Sequence, residues 1–191
     1  MTETTTESTD GMMDAGGEDA LSNAQTLPEA RLGALLLALG WTVCTAESCT
    51  GGLVAHRLTN IAGSSAYVLG GVVTYSNAAK EKLIGVRRET LIAYGAVSEQ
   101  TACEMADGAR ALFDADLAVS ITGIAGPGGG TPEKPIGLTY IGLARRGAAA
   151  QARRHVWEFD RVGNKNASAE AALAWLLEQA NQASSARDSG R

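Results

Sequence analysis

The sequence predicts an α/β fold in which a mixed, mostly parallel sheet lies between helices on both of its faces. Short β-prone runs alternate with helical patterns along most of the chain, which is typical of parallel strands joined by helices. Two later β-prone runs are joined only by GAAA (147–150), which predicts an antiparallel pair. At 191 residues the chain is long enough for one domain with a substantial core.

The first predicted helix begins at Pro28, because proline is favoured in the first turn, and it ends at Gly40. Four leucines at i, i+3, i+4 and i+7 give this helix one buried face: Leu32, Leu35, Leu36 and Leu39. Residues 41–46 (WTVCTA) and 70–76 (GGVVTYS) predict strands, with a helix over roughly 50–60 between them.

The second half of the chain repeats the alternation. Ser98 is a favourable N-cap for a helix over 99–113, whose alanines, Met105 and Leu112 share one side. The other predicted elements are short helices at 78–84 and 88–94, a buried strand at 117–123, the antiparallel pair at 136–146 and 150–159, and a last helix at 167–183.

Charge is distributed unevenly along the chain. Residues 1–27 hold six acidic residues and no lysine or arginine, whereas the remainder holds fifteen acidic and sixteen basic residues. The segment 1–26 is poor in large apolar groups, so it is predicted to be a disordered acidic tail. Residues 27–185 form the predicted domain, and residues 186–191 are expected to fray. The nearly neutral domain lacks the basic face that nucleic acids require, so no nucleic-acid partner is expected.

Composition also argues against other classes of protein. The longest apolar run, 32–41, is far shorter than the ~20 residues that span a bilayer, so no membrane partner is expected. Three cysteines without repeated spacing argue against a disulfide framework and predict a reducing, cytoplasmic location. The two histidines, His56 and His155, lie far apart without a Cys or carboxylate cluster, so no metal site is expected.

Polar residues follow three of the predicted strands at the point where each strand ends. Residues 47–50 (ESCT) follow the first strand, Tyr75, Asn77 and Lys80 follow the second, and Thr122 precedes a glycine-rich segment after the third. Ligands in open α/β sheets collect beyond the carboxyl ends of the strands. This convergence predicts a functional site.

Ser48 has two interpretations. As a nucleophile it needs a base, and Lys80 from the next strand end is a better candidate than either histidine. A lysine serves as a base near neutral pH if burial lowers its pKa by about three units from ~10.4. Tyr75 could then relay the proton or orient the ammonium group. Alternatively Ser48 is only the N-cap of the next helix, which the pattern alone slightly favours.

Cys49 and the glycine loop, residues 123–135 (GIAGPGGGTPEKP), also leave alternatives open. Cys49 is either a thiol activated at a helix start or, more simply, a small half-buried residue. The glycine loop lacks the spacing of a dinucleotide fingerprint or a P-loop, so no cofactor is expected. It is either a clamp for a phosphate or carbonyl group or a flexible lid. Arg161 and Lys165 either meet an anionic substrate group or are solvated.

Four segments carry a family resemblance: TAESCTGG (45–52), GSSAYVLGGVVTYSNAAKEKLIGV (63–86), GAVSEQTACEMADGAR (95–110) and SITGIAGPGGGTPEKPIG (120–137). In this order they closely resemble the nicotinamide-nucleotide amidase family, the C-terminal domain of CinA proteins. The similarity extends from about Pro28 to Ala144, and more weakly through the final helix. It implies a three-layer α/β/α sandwich, often a homodimer. It also implies a metal-free serine amidase that converts nicotinamide mononucleotide to nicotinate mononucleotide and ammonia in pyridine nucleotide recycling.

The resemblance further implies roles for individual residues. Ser48 matches the family's nucleophile, and Tyr75 and Lys80 match its proton-handling partners. Together with the strand ends it gives these expected substrate-binding residues: Glu47, Cys49, Thr50, Gly51, Asn77, Thr122, Gly123, Gly126 and Arg161. Backbone N–H groups just after Ser48 are expected to receive the oxyanion, and Arg161 is expected to meet the 5′-phosphate.

This chain departs from the family pattern in two places. Family members tend to have GDR and then a further arginine, whereas this chain has FDRVGNKN (159–166), with Lys165 near that arginine's place. Lysine does not reproduce a bidentate guanidinium on a phosphate. The segment before Pro28 is too short for the larger CinA partner domain, so a standalone version is expected, and the resemblance associates standalone versions with amidase activity. Two alternatives therefore stay open: a non-catalytic nucleotide-binding module of the same fold, and an amidase for another small amide.

Overall fold

The computed structural model describes residues 27–190, so the predicted acidic tail lies outside the described residues. The helices are α1 (Pro28–Leu39), α2 (Leu53–Thr59), α3 (Asn77–Ile84), α4 (Arg88–Tyr94), α5 (Glu99–Phe113) and α6 (Arg161–Ser189). The strands are β1 (Val43–Glu47), β2 (Val68–Val73), β3 (Leu117–Gly123), β4 (Leu138–Arg145) and β5 (Gln151–Val156). A 3₁₀ turn, Ser64–Ala66, precedes β2.

The strands form one mixed sheet in the order β2-β1-β3-β4-β5. β1 pairs in parallel with β2 and with β3. β4 is antiparallel to β3 and to β5, which confirms the predicted hairpin. Four strands therefore run in one direction and β4 runs against them, so the predicted mixed, mostly parallel sheet is confirmed.

Helices cover both faces of the sheet, which makes the predicted three-layer sandwich. On one face α1, α2 and α6 bury Leu36, Leu58 and Leu173 against Ile121 of β3. On the other face α3, α4 and α5 pack on Cys44 and its neighbours through residues such as Met105. Burial of apolar area on both faces, at roughly 25 cal/mol per Å², is the main stabilising contribution to this layered core.

Several element boundaries differ from the prediction, most of all those of α2, β2 and α6. α2 begins at Leu53 because Gly51 and Gly52 have positive φ values of 67° and 98°, which a helix does not allow. β2 covers Val68–Val73 instead of 70–76. α6 begins six residues earlier than predicted, because the Asp160 side chain accepts the N–H of Gly163 and caps it there. α6 continues to Ser189, beyond the predicted end at residue 183, and the expected fraying of residues 186–191 stays a prediction.

Candidate active site

The sheet brings the three polar strand ends together. β1 lies between β2 and β3, so the residues that follow these strands are neighbours at one edge. The N–H of Ser48 donates to the Ile121 carbonyl at 2.9 Å, and the N–H of Thr74 donates to the Glu47 carbonyl at 2.8 Å. A main-chain hydrogen bond thus holds Ser48 to β3. A second one holds Glu47, the residue before Ser48, to Thr74, which follows β2.

Ser48 and Lys80 form a buried polar pair at this edge. The Lys80 Nζ donates to the Ser48 Oγ at 3.1 Å and to the Thr74 carbonyl at 2.7 Å. Lys80 is 1% exposed and Ser48 is 8% exposed. The pairing arises because α3 begins four residues after β2 ends, and its first turn directs Lys80 back toward β1.

Burial acts in opposite directions on the pKa values of the lysine and the neighbouring thiol. Desolvation lowers the pKa of Lys80, and the nearby Cys49 offsets only part of that effect. Desolvation raises the pKa of Cys49 to about 11. At neutral pH the Cys49 thiol is therefore un-ionised. Lys80 is the group whose lowered pKa favours the neutral amine, which can act as a base. The geometry favours the interpretation of Cys49 as a small buried residue.

Ser48 is not the cap of α2, because Glu47 takes that role. The fully buried Glu47 carboxylate accepts backbone N–H groups from Gly52 at 2.9 Å, Val54 at 3.2 Å and Ala55 at 2.9 Å. The helix itself has no side-chain cap at Gly52. A carboxylate here is stabilised by the exposed N–H groups and the helix dipole. Glu47 thus shapes the turn, which differs from its expected substrate contact.

Two backbone donors of the same turn point to a ligand. Within residues 27–190, neither the Cys49 N–H nor the Thr50 N–H donates to a main-chain or side-chain oxygen, although the Cys49 N–H interacts with its own thiol. The Thr50 Oγ1 is also buried without a hydrogen-bond partner. Buried polar groups are normally satisfied, so these three groups fit a site whose partner is a bound substrate.

Arg161 bridges the two sides of the site. Its Nη1 donates to the Gly126 carbonyl at 2.6 Å and its Nη2 donates to the Tyr75 hydroxyl at 3.4 Å. Tyr75 is 63% exposed, and in the described chain its hydroxyl bonds to Arg161 and to neither Ser48 nor Lys80. The described chain therefore shows no hydrogen bond between Tyr75 and Lys80, and the suggested role of Tyr75 in proton transfer or in orienting the ammonium group stays a prediction.

The remaining expected residues have different positions. Thr122 is buried, and its Oγ1 donates to the Ala96 carbonyl at 2.7 Å. Gly123 allows close packing, since a Cβ there would lie 2.7 Å from the Leu138 carbonyl oxygen. Gly51 is the exposed residue of the turn. Asn77 lies instead in a groove of about 680 Å³ between α3 and α4, which contains neither Ser48 nor Lys80.

A smaller cleft of about 370 Å³ lies beside the Ser48 turn, between the first residues of α2 and α6. Residues 50–53 form one wall, and His56, Val162, Lys165 and Asn166 form the rest. Neither Ser48 nor Lys80 lines this cleft or the larger α3–α4 groove. The Ser48–Lys80 pair, and not the size of a hollow, therefore identifies this edge of the sheet as the candidate site. Residues 27–190 contain no cluster of three or more His, Cys, Asp and Glu that could hold a metal, and no helix among them could span a membrane.

Sequence reasoning missed two residues that organise the site. The buried Asn164 donates to the Ala125 carbonyl at 3.1 Å, and its side-chain oxygen accepts the Phe159 N–H at 3.1 Å. Lys134 donates to the carbonyls of Tyr94 at 2.7 Å and Val97 at 2.8 Å. In the sequence, the only indication of a structural role for Lys134 was its position inside the glycine loop. No local sequence pattern indicated a role for Asn164.

Comparison with known proteins identifies the relatives of this chain. The sequence model of the CinA C-terminal domain matches residues 25–180. A CinA-like protein of Chloroherpeton thalassium is 53% identical over 156 residues, which cover 80% of this chain and 37% of that protein. A CinA-like protein of Chlorobium phaeobacteroides is 48% identical over 171 residues, covering 87% and 41%. The chain therefore spans about two fifths of the length of these relatives.

Solved structures of similar chains agree with the fold. The competence/damage inducible protein CihA from Agrobacterium tumefaciens superposes with a TM-score of 0.77 at 45% identity, covering 79% of this chain and 92% of that one. A CinA superfamily protein from Klebsiella pneumoniae has a TM-score of 0.78 at 37% identity, covering 81% and 96%. These two chains thus match the described fold over nearly their whole length.

Proposed function

Because the chain belongs to the CinA C-terminal domain family, we propose that it is a serine amidase that deamidates nicotinamide mononucleotide. The observation that carries the proposal is the buried Lys80 amine 3.1 Å from the Ser48 hydroxyl. A nucleophile within hydrogen-bond reach of a base whose pKa is lowered is the arrangement that acyl transfer requires. The N–H groups of Cys49 and Thr50 support the same chemistry.

In the first half of the reaction, the Ser48 Oγ attacks the carboxamide carbon and its proton passes to neutral Lys80. The Thr74 carbonyl accepts one N–H of the amine, which leaves the nitrogen lone pair for the serine. The oxyanion that forms is received by the N–H groups of Cys49 and Thr50. Lys80 then protonates the amide nitrogen, the C–N bond breaks, and ammonia leaves an acyl-serine.

In the second half, water replaces ammonia. Lys80, neutral again, takes a proton from the water as its oxygen attacks the acyl carbon. The tetrahedral intermediate collapses, and the proton on Lys80 returns to the Ser48 oxygen. The product is the carboxylic acid, which ionises to nicotinate mononucleotide.

The substrate's phosphate fits the cationic side of the cleft. Lys165 lines the cleft and has no ion-pair partner within the described chain. Arg161 lies four residues earlier on α6, but its guanidinium is engaged by Gly126 and Tyr75. We therefore propose that Lys165 is the main contact of the phosphate. Arg161 also contacts it if the bound substrate displaces the long hydrogen bond from Arg161 to the Tyr75 hydroxyl.

The test is ammonia release from nicotinamide mononucleotide by the purified chain and by Ser48→Ala. We expect release by the native chain and a loss of at least about 10³-fold in kcat/KM for the variant. Equal rates in both proteins would refute the nucleophile. Turnover of nicotinamide or another amide in preference to the nucleotide would refute the substrate, and nucleotide binding without any turnover would favour a binding module.

A further inference from the structure

Side chains satisfy the four carbonyl groups of residues 94–97, which are the last residue of α4 and the first three residues of the connection to α5. Lys134 donates to the first and last of them, at Tyr94 and Val97. Thr101 and Ser98 donate to Gly95 at 2.8 and 3.0 Å. Thr122 donates to Ala96. The conformation of this connection therefore depends on donors from α5, β3 and the glycine loop.

Lys134 is the donor that couples the glycine loop to this connection. Its own backbone is fixed by a small turn, in which the Thr131 N–H donates to the Lys134 carbonyl at 2.9 Å and the Lys134 N–H donates to the Thr131 Oγ1 at 3.1 Å. An ammonium group also interacts favourably with the carbonyl end of a helix, here α4. Lys134 thus anchors the far end of the loop.

The near end of the glycine loop is anchored elsewhere. Asn164 and Arg161 of α6 hold the Ala125 and Gly126 carbonyls, while residues 127–133 between the two anchors are exposed. Beside the near end, Thr122 depends on the Ala96 carbonyl that the Lys134 contacts hold in place. The Ser48–Lys80 pair makes no hydrogen bond to the glycine loop within the described chain.

We propose that Lys134 is a positioning residue for the candidate site, holding the glycine loop and Thr122 in the conformation that binds substrate. This inference rests on the proposed function. Loss of the Lys134 contacts leaves the carbonyls of Tyr94 and Val97 without this donor and releases the far end of the glycine loop. The Ser48 hydroxyl and the Lys80 amine stay in place. The effect is therefore on substrate affinity and not on the acyl-transfer step.

The test compares three variants. Lys134→Met keeps a side chain of similar length but removes the N–H donors of the ammonium group, Lys134→Arg keeps donors, and Lys82→Met at an exposed lysine is the control. For Lys134→Met we expect KM to rise about tenfold while kcat changes by less than about threefold. Lys134→Arg retains several donors, so we expect its KM within about threefold of native. A small fluorophosphonate probe, which needs no loop contact, should label Ser48 at the native rate in all three variants.

Amide hydrogen exchange provides a readout independent of turnover. We expect exchange of segments 95–98 and 124–130 to accelerate at least about tenfold in Lys134→Met, with β1 and α3 unchanged. Unchanged exchange and KM would overturn the proposal, as would a joint fall in kcat, labelling and melting temperature. If the native chain releases no ammonia, the proposed function fails, and the exchange data alone then decide whether Lys134 holds the loop.

Discussion

The turn after β1 and the glycine loop after β3 end neighbouring parallel strands, yet they are held in different ways. The turn is mostly buried, and besides the long-range bonds of Ser48 its side-chain restraint is local, because Glu47 holds the N–H groups of Gly52, Val54 and Ala55. The glycine loop is exposed from 127 to 133, and side chains from a distant helix hold its first carbonyls. Local restraint by Glu47 shapes the turn that carries Ser48, and long-range restraint holds the glycine loop beside it.

This difference separates chemistry from binding. Ser48 lies on the locally restrained turn, so substitutions at or beneath it should alter kcat. The glycine loop contributes no hydrogen bond to the Ser48–Lys80 pair within residues 27–190, so substitutions that release it should alter KM. Each of the following experiments tests the turn side of this comparison.

The largest effect is expected from Lys80. Lys80→Met removes the base, and Lys80→Arg replaces it with a group that stays protonated. We expect both to lower kcat by about 10²–10⁴-fold, the usual contribution of a positioned base. Steady-state ammonia release measures the loss, with Lys82→Met on the same helix as the control. An arginine variant with native kcat would show that the lysine acts only through its charge.

The second prediction concerns pH. Since burial lowers the pKa of Lys80, log(kcat/KM) should rise with a slope of about one per pH unit and level off below the ordinary lysine value of ~10.4. Because its folded pKa lies below its unfolded value, the stability linked to Lys80 is present above the unfolded pKa and decreases as pH falls through the folded pKa.

Two measurements check this profile. Initial rates across pH locate the activity midpoint, and denaturant unfolding of the native chain and Lys80→Met locates the stability change, which should be absent in the variant. A midpoint near the Cys49 pKa of about 11, together with inactivation by a thiol reagent, would instead point to the sulfur.

Sequence predicted the meeting of Ser48 and Lys80 because adjacent parallel strands end at the same edge, so order along the chain fixes neighbours in space. It did not predict the partner of Tyr75, since that depends on β2 ending at Val73 and on α6 beginning at Arg161. Helix capping and strand pairing decide both boundaries, and neither produces a strong local pattern in the sequence.

The roles of Glu47, Asn164 and Lys134 were also beyond sequence reasoning, for two physical reasons. Glu47 reaches α2 only because two positive-φ glycines reverse the chain between them. Asn164 and Lys134 bond to carbonyls 37 to 40 residues away. Main-chain acceptors exist at every residue, so no side-chain pattern indicates which of them a distant donor will reach.

The smallest effect tests the restraint of the turn itself. Glu47→Gln replaces a carboxylate that accepts three N–H groups with an amide whose NH₂ faces some of those donors. We expect the free energy of unfolding to fall by about 1–3 kcal/mol, the cost of buried donors left unpaired. Urea denaturation measures it, and Glu158→Gln on the exposed segment before α6 is the matched control.

The same variant distinguishes the two regions kinetically. If the turn fixes the reacting atoms, Glu47→Gln lowers kcat more than it raises KM, which is the reverse of the effect expected for Lys134→Met. A variant that loses stability but keeps kcat would show that Ser48 is held by its main-chain bond to Ile121 alone. The turn would then stabilise the fold without positioning the nucleophile, and local restraint would no longer explain where the chemistry lies.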